Sequence, residues 1–160
     1  MKTNKVIIDT REKPKAIEKI VKYFEDNNIE YERRKLDVGD YMIEGRPDII
    51  VDRKQTIDEL AKNCTDRADR ERFKREMERA VRNGTTLVLL VEQNRYKSLY
   101  GTIAVRGVEN LVLWHGKYTT IIGEQLYRIL AGWCYKYKLR VEFCRPSETG
   151  RRIMEILKNA

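Results

Sequence analysis

Three side chains near the middle of the sequence have the types and spacing to share one reaction. Asp40 lies in "GDY" (39–41), and Asp52 and Lys54 lie in "VDRK" (51–54). If 48–54 is a strand, alternation sets Ile50, Asp52 and Lys54 on one face and Ile49, Val51 and Arg53 on the other. A hairpin partner that begins at Asp40 brings its carboxylate to the same edge. Two carboxylates in contact repel each other, so both ionise only when a cation lies between them. Hard oxygen donors with open positions suit Mg²⁺, with Mn²⁺ as an alternative. Such an ion polarises a phosphate oxygen and lowers the pKa of a bound water. A neighbouring lysine can orient that water and offset charge that develops as it attacks. Hydrolysis of a phosphodiester is the chemistry these parts would serve.

The surrounding pattern predicts the elements that would hold them. "KVIID" (5–9) is a short apolar run that reads as a buried strand. Pro14 opens a helix with Ile17, Ile20, Val21 and Phe24 on one face. "IEYERRKL" (29–36) reads as a charged edge strand, and "DYMIE" (40–44) with "DIIVDRK" (48–54) as a hairpin. Thr56 and Glu59 form a capping box that starts a short helix through Ala61, and a longer helix covers 66–83 with Phe73, Met77, Ala80 and Val81 as its apolar stripe. "TLVLLVE" (86–92) has the continuous apolar character of a strand buried on both faces. Within 93–122, "VENLVLW" fits either a strand or a helical turn. A helix is expected over 124–138, a strand over 139–144, and a last helix to Leu157 capped by Ser147. Strands alternating with helices predict an α/β sandwich around a mixed sheet.

The chain has 160 residues, enough for one ordinary domain that buries roughly 70% of the surface its unfolded form exposes. Lys and Arg outnumber Asp and Glu by 33 to 25, for a formal charge of +8. A basic surface gains from counterion release on a phosphate backbone, which favours a polyanionic partner. Cys64, Cys134 and Cys144 are far apart and odd in number, so buried thiols in a reducing, cytoplasmic setting are expected. The longest purely apolar stretch, "LVLLV" (87–91), is too short to span a bilayer, so no membrane role is expected. No P-loop, zinc-ligand spacing or nucleophile elbow is present, so no nucleotide cofactor is expected.

Five segments occur in one order: "VIIDTRE" (6–12), "LDVGDY" (36–41), "VDRKQTIDEL" (51–60), "RFKREMER" (72–79) and "LVLLVE" (87–92). That series resembles the nuclease domain of the XPF family of structure-specific endonucleases, within the PD-(D/E)xK superfamily. The closing "LYRILAGWCYKYKLRVEFCRPSETGRRIMEILK" resembles the family's last helix, strand and helix, so the similarity spans nearly the whole chain. The resemblance implies a single restriction-endonuclease-like α/β domain over residues 1–160, with a mixed sheet flanked by helices. By position, it implies Asp40 and Asp52 as metal ligands, the main-chain carbonyl of Arg53 completing the shell, and Lys54 as the catalytic lysine. It adds Asp9 as a further catalytic carboxylate, Arg11, Arg53 and Arg72 as contacts to DNA, and Glu12, Asp58 and Glu76 as supporting acids. Asp52 stands where the family usually has glutamate, one methylene longer. The 160 residues hold no tandem helix-hairpin-helix module of the kind that commonly accompanies this domain, so the expectation is a standalone nuclease, homodimeric or assisted by a partner. The implied substrate is branched, flap or fork DNA, in repair, recombination or replication. A catalytically inactive DNA-binding subunit and a four-way-junction resolvase are the competing readings.

Other charged residues have plainer roles. The aspartate of "PD" (47–48) shares the strand of Asp52 and lies too close to it to be the partner carboxylate. Asp58 falls in the first turn of a helix, where the macrodipole stabilises it by about 0.3–1 kcal/mol. Arg67, Arg70, Arg75 and Arg79 alternate with acids at helical spacing, as on a solvated face. His115, the single histidine, has no partner motif. Trp114, Trp133, Tyr135 and Tyr137 are expected in the core or at an interface.

Overall fold

A computed structural model describes residues 4–117 and 119–159. Its central sheet has six strands: β1 (Val6–Ile8), β2 (Tyr31–Arg33), β3 (Tyr41–Ile43), β4 (Arg46–Lys54), β5 (Thr86–Val91) and β8 (Arg140–Phe143). They lie in the order β2-β1-β3-β4-β5-β8. β3 runs antiparallel to both of its neighbours, while β1–β2, β4–β5 and β5–β8 are parallel pairs. The sheet is therefore mixed, as expected, and "IEYERRKL" supplies its edge strand.

Helices cover both faces. On one side α1 (Glu18–Asp26) and α5 (Thr149–Lys158) pack over Val6, Ile8, Tyr41, Ile49, Val51, Val88 and Leu90. On the other, α2 (Ile57–Thr65), α3 (Arg67–Arg82) and α4 (Gly123–Tyr137) pack over Ile50, Leu87, Leu89 and Val91. The strict alternation of Val88 and Leu90 against Leu87, Leu89 and Val91 shows β5 feeding two cores at once, which is why its sequence is apolar at every position. Among the described residues no helix is long and apolar enough to cross a membrane.

Four local expectations change. The apolar stripe of α3 is Phe73, Met77 and Ala80, while Val81 is exposed beyond it. α2 runs on to Thr65, because Leu60, Ala61 and Cys64 continue its buried face. The last helix is not capped by Ser147: Pro146–Glu148 forms a 3-10 turn, and α5 begins at Thr149 without a side-chain cap. The segment after β5 forms a separate hairpin, β6 (Arg95–Ser98) with β7 (Gly101–Ala104), and "VENL" (108–111) is a 3-10 turn. Trp114 and Trp133 are buried as expected, whereas Tyr135 is exposed.

The β3–β4 hairpin positions the site. Tyr41 pairs with Val51 but Ile43 pairs with Arg46, so β4 carries extra residues across the bend. Just before β3, Gly39 has a φ of +67°, and a Cβ there would lie 2.4 Å from Ile50 Cγ2 and 3.1 Å from the Val51 carbonyl oxygen. Only glycine fits. This close crossing lets the Asp40 N–H donate to Val51 O (2.8 Å) while Asp40 O accepts from Asp9 N (2.8 Å). Asp40 is thereby stitched between the ends of β1 and β4.

Candidate active site

Strand direction brings the ends of four elements to one edge of the sheet: the C-termini of β1, β4 and β5 and the N-terminus of β3. A polar cleft of about 440 Å³ opens there, between α3 and the segment after β1. Asp40, Asp52 and Lys54 all line it. Lys54 Nζ is 3.4 Å from Asp52 Oδ1 and sits 5.3 Å from the centre of the Phe73 ring. Asp40 Oδ2 accepts the Arg53 N–H at 2.8 Å, across the turn of the hairpin. Lys54 O is bonded toward β5 by the Glu92 N–H, so alternation turns the main-chain groups of Arg53 the other way, to the edge where Asp40 stands.

The electrostatics are dominated by crowded acids. Burial, then the charges of Asp52 and Glu12, hold the pKa of Asp40 well above the carboxylate range, and a side-chain hydrogen bond with Asp52 acts in the same direction. Glu76, from α3, accepts the Gly39 N–H at 2.9 Å. Its carboxyl is pushed up to about 7 by burial and by the charge of Asp52. Lys54 is also buried. Burial lowers its pKa, but the charges of Asp52, Asp40, Glu59 and Glu76 outweigh that and raise it, so the ammonium is retained. An excess of buried carboxylates over cations is the environment a divalent ion relieves. Among the described residues no three His, Cys, Asp or Glu side chains come together as a group that could hold a metal ion. Two carboxylates and a carbonyl are hard oxygen donors, the donor type a divalent cation takes.

Other predicted residues have different places. Asp9 was expected to be catalytic, but it is fully buried and does not line the cleft. Its Oδ1 accepts Leu36 N (2.8 Å), and its Oδ2 accepts the main-chain N–H (3.2 Å) and Nε (2.5 Å) of Arg11. It acts on the cleft by holding Arg11, whose side chain is largely exposed at the rim. Arg53 was expected to contact DNA as well as to lend its main-chain carbonyl to a metal. Alternation sends its side chain to the α1 side of the sheet, where it is 6% exposed. Its Nε and Nη2 bind the two oxygens of Glu12 at 2.7 and 2.9 Å, and Nη1 binds Glu92 at 2.5 Å. Glu12 is thus committed to Arg53. Asp58 accepts the Lys117 N–H at 3.1 Å and pins that loop, outside the cleft. Arg72 does line the cleft, and pairs with Asp69. Asp48 is exposed, paired with Arg46, and does not line the cleft.

Sequence reasoning missed Lys13, Gln55, Asn63 and Arg79, which also line the cleft. The signal on α3 was periodic: Asp69, Arg72, Phe73, Glu76 and Arg79 follow helical spacing and share the cleft-facing side. A polar stripe reads the same whether it faces a cleft or open solvent.

Comparison with known proteins agrees with this fold. The family described as ERCC4 domain matches residues 8–155. No curated protein matches the chain. Among solved structures, XPF from Aeropyrum pernix aligns with a TM-score of 0.67 at 20% identity, covering 97% of this chain and 64% of that one. The same protein in complex with DNA aligns with a TM-score of 0.64 at 20% identity, covering 98% and 64%. The chain therefore spans just under two thirds of the length of the structures it resembles. With the five sequence segments, the sheet order and the cleft at its edge in one frame, the chain belongs to the ERCC4 domain family, and the resemblance to XPF nuclease domains holds.

Proposed function

We propose that this protein is a metal-dependent DNA endonuclease of the XPF type that hydrolyses phosphodiester bonds in branched, flap or fork DNA. The observation that carries the reading is the convergence of Asp40, Asp52 and Lys54 in one acid-rich cleft. A divalent cation, Mg²⁺ or Mn²⁺, would be held by Asp40, Asp52 and the Arg53 carbonyl, and would supply Lewis-acid activation of the phosphate and of water. The chain's own groups do the rest. Lys54, kept charged by its acidic neighbours, holds the attacking water and offsets negative charge as it develops on the phosphoryl oxygens. Phe73 packs beneath the ammonium and limits its movement. Arg11 and Arg72, at the rim, grip the DNA backbone beside the scissile bond. The protein works on DNA as a homodimer or with a partner, which light scattering on the purified chain would test.

The decisive test is cleavage of labelled flap, fork and four-way-junction DNA in Mg²⁺. Asp52→Asn and Lys54→Met are each expected to lower the cleavage rate by at least about a hundredfold while leaving the circular dichroism spectrum unchanged. Undiminished cutting by either variant overturns the site. Salt-sensitive DNA binding by the wild type, with no cutting in Mg²⁺ or Mn²⁺, makes the protein a binding subunit instead. Preference for the four-way junction over flap and fork replaces the substrate.

A further inference from the structure

The cleft at the sheet edge does not end at the acids. A second cleft of about 320 Å³ lies on the α1 side of β4, and the two share Ala16, Arg53 and Gln55 along their borders. The segment from Lys13 to Lys19 forms the ridge between them. Pro14 opens its 3-10 turn, Ile17 and Ile20 anchor it in the core, and Lys13, Lys15 and Lys19 are left on the exposed side. Lys13 faces the first cleft, while Lys15 and Lys19 face the second. Among the described residues none of these three ammonium groups has an acidic partner within 4 Å, and together they line one continuous ridge beside the reaction centre.

The acids of the second cleft do not cancel this charge. Glu92 is occupied, with Oε1 on Arg53 and Oε2 accepting the Thr149 hydroxyl at 2.7 Å. Glu18 is the one remaining carboxylate there, against two lysines. Unpaired cations along a groove continuous with an acidic reaction centre match a polyanion that arrives at the centre and runs on past it. The cleft is small, about 320 Å³, which suits a single backbone better than a duplex.

We propose that the second cleft is a subsite for a single-stranded arm of the nucleic acid, with Lys15 and Lys19 neutralising two of its phosphates and Lys13 guiding the strand between the clefts. The proposal rests on the nuclease reading above, and binding measured without metal separates the two.

The test compares a labelled duplex carrying a single-stranded arm with the same duplex made blunt, by fluorescence anisotropy in EDTA between about 50 and 200 mM salt. The double variant Lys15→Gln/Lys19→Gln is expected to lower the slope of log affinity against log salt by about 1.4 on the armed DNA, from about 0.7 for each single-strand phosphate no longer neutralised. It should leave the slope on blunt DNA unchanged. The charge-matched control Lys136→Gln/Lys138→Gln, at the end of α4 and the opposite edge of the sheet, should leave both slopes unchanged. An unaltered slope on armed DNA, an equal fall on both DNAs, or the same fall in the control each overturns the subsite. If the wild type cuts DNA in Mg²⁺ and the slope on armed DNA does not change, the subsite fails and the nuclease reading stands. If the slopes behave as expected but the wild type cuts nothing, the subsite stands and the nuclease reading fails.

Discussion

Asp40 is held in an environment that disfavours its charge, and the consequence can be measured without any substrate. Burial and the charges of Asp52 and Glu12 raise its pKa, and Glu76 is pushed up to about 7. Both groups ionise near pH 4 in the unfolded chain. Between that pH and about 7 the folded state therefore binds more protons than the unfolded state, so stability falls as pH rises through this window. The metal-free protein should accordingly lose melting temperature from pH 5 to pH 8. Added Mg²⁺ should restore it, and by more at pH 8 than at pH 5, because the ion favours the charged carboxylates. Asp40→Asn keeps an oxygen to accept the Arg53 N–H but removes one of the clashing charges. It should stabilise the metal-free protein by about 1 kcal/mol at pH 8 and remove most of the gain from Mg²⁺. Thermal unfolding of both proteins at the two pH values, with and without Mg²⁺, checks each part; a wild type whose melting temperature ignores both pH and Mg²⁺ contradicts the crowded-acid account.

At the scale of elements, the site depends on the bend that leads into β3. Gly39 takes a left-handed φ and passes within contact distance of Ile50, so Gly39→Ala combines backbone strain with a clash against the core. A cost of about 2–4 kcal/mol is expected, read from urea unfolding, with a larger loss of cleavage because Asp40 is the next residue. Gly45→Ala provides the comparison: its φ is also positive, at +78°, but nothing lies near its added Cβ, so it should cost less and spare activity. The need for glycine at 39 was visible only as "GD" beside the later "VDRK". Alternation over 48–54 correctly paired Asp52 with Lys54, because a period of two is fixed by the backbone itself. The same rule placed Arg53 on the opposite face, where its side chain meets Glu12 and Glu92 instead of the cleft acids. Asp9 was legible only as an acid at a strand end, and such an acid reads alike whether it meets a ligand or, as here, binds Leu36 and Arg11. The β6–β7 hairpin was illegible because Arg95–Ser98 has one buried residue, Tyr96, and no apolar alternation to mark it. Ser147 looked like a cap, but Pro146 drew the chain into a 3-10 turn first.

Across the whole molecule, the two cores lie on opposite faces of the sheet, and Arg53 ties elements together at its edge beneath the site. Its guanidinium joins Glu12, from the segment after β1, to Glu92 at the end of β5, and Glu92 in turn holds Thr149 at the start of α5. Burial works against the Arg53 charge, yet the hydrogen bonds and charges of the two glutamates prevail and its pKa is raised. Removing the cation would strand two buried carboxylates, which is costlier than the pair is worth intact. Arg53→Met is therefore expected to cost about 3–5 kcal/mol in denaturant unfolding. Glu92→Gln should cost much less, since Glu12 alone balances Arg53 and the amide still reaches Thr149. The combined variant Glu12→Gln/Arg53→Met should recover part of the loss, because one stranded charge has gone. That recovery separates electrostatics from packing. Were Arg53→Met no less stable than the wild type, or the combined variant worse than the sum of its parts, the buried triad would not be what joins β1, β4, β5 and α5, and the hairpin crossing at Gly39 would have to hold Asp40 in place alone.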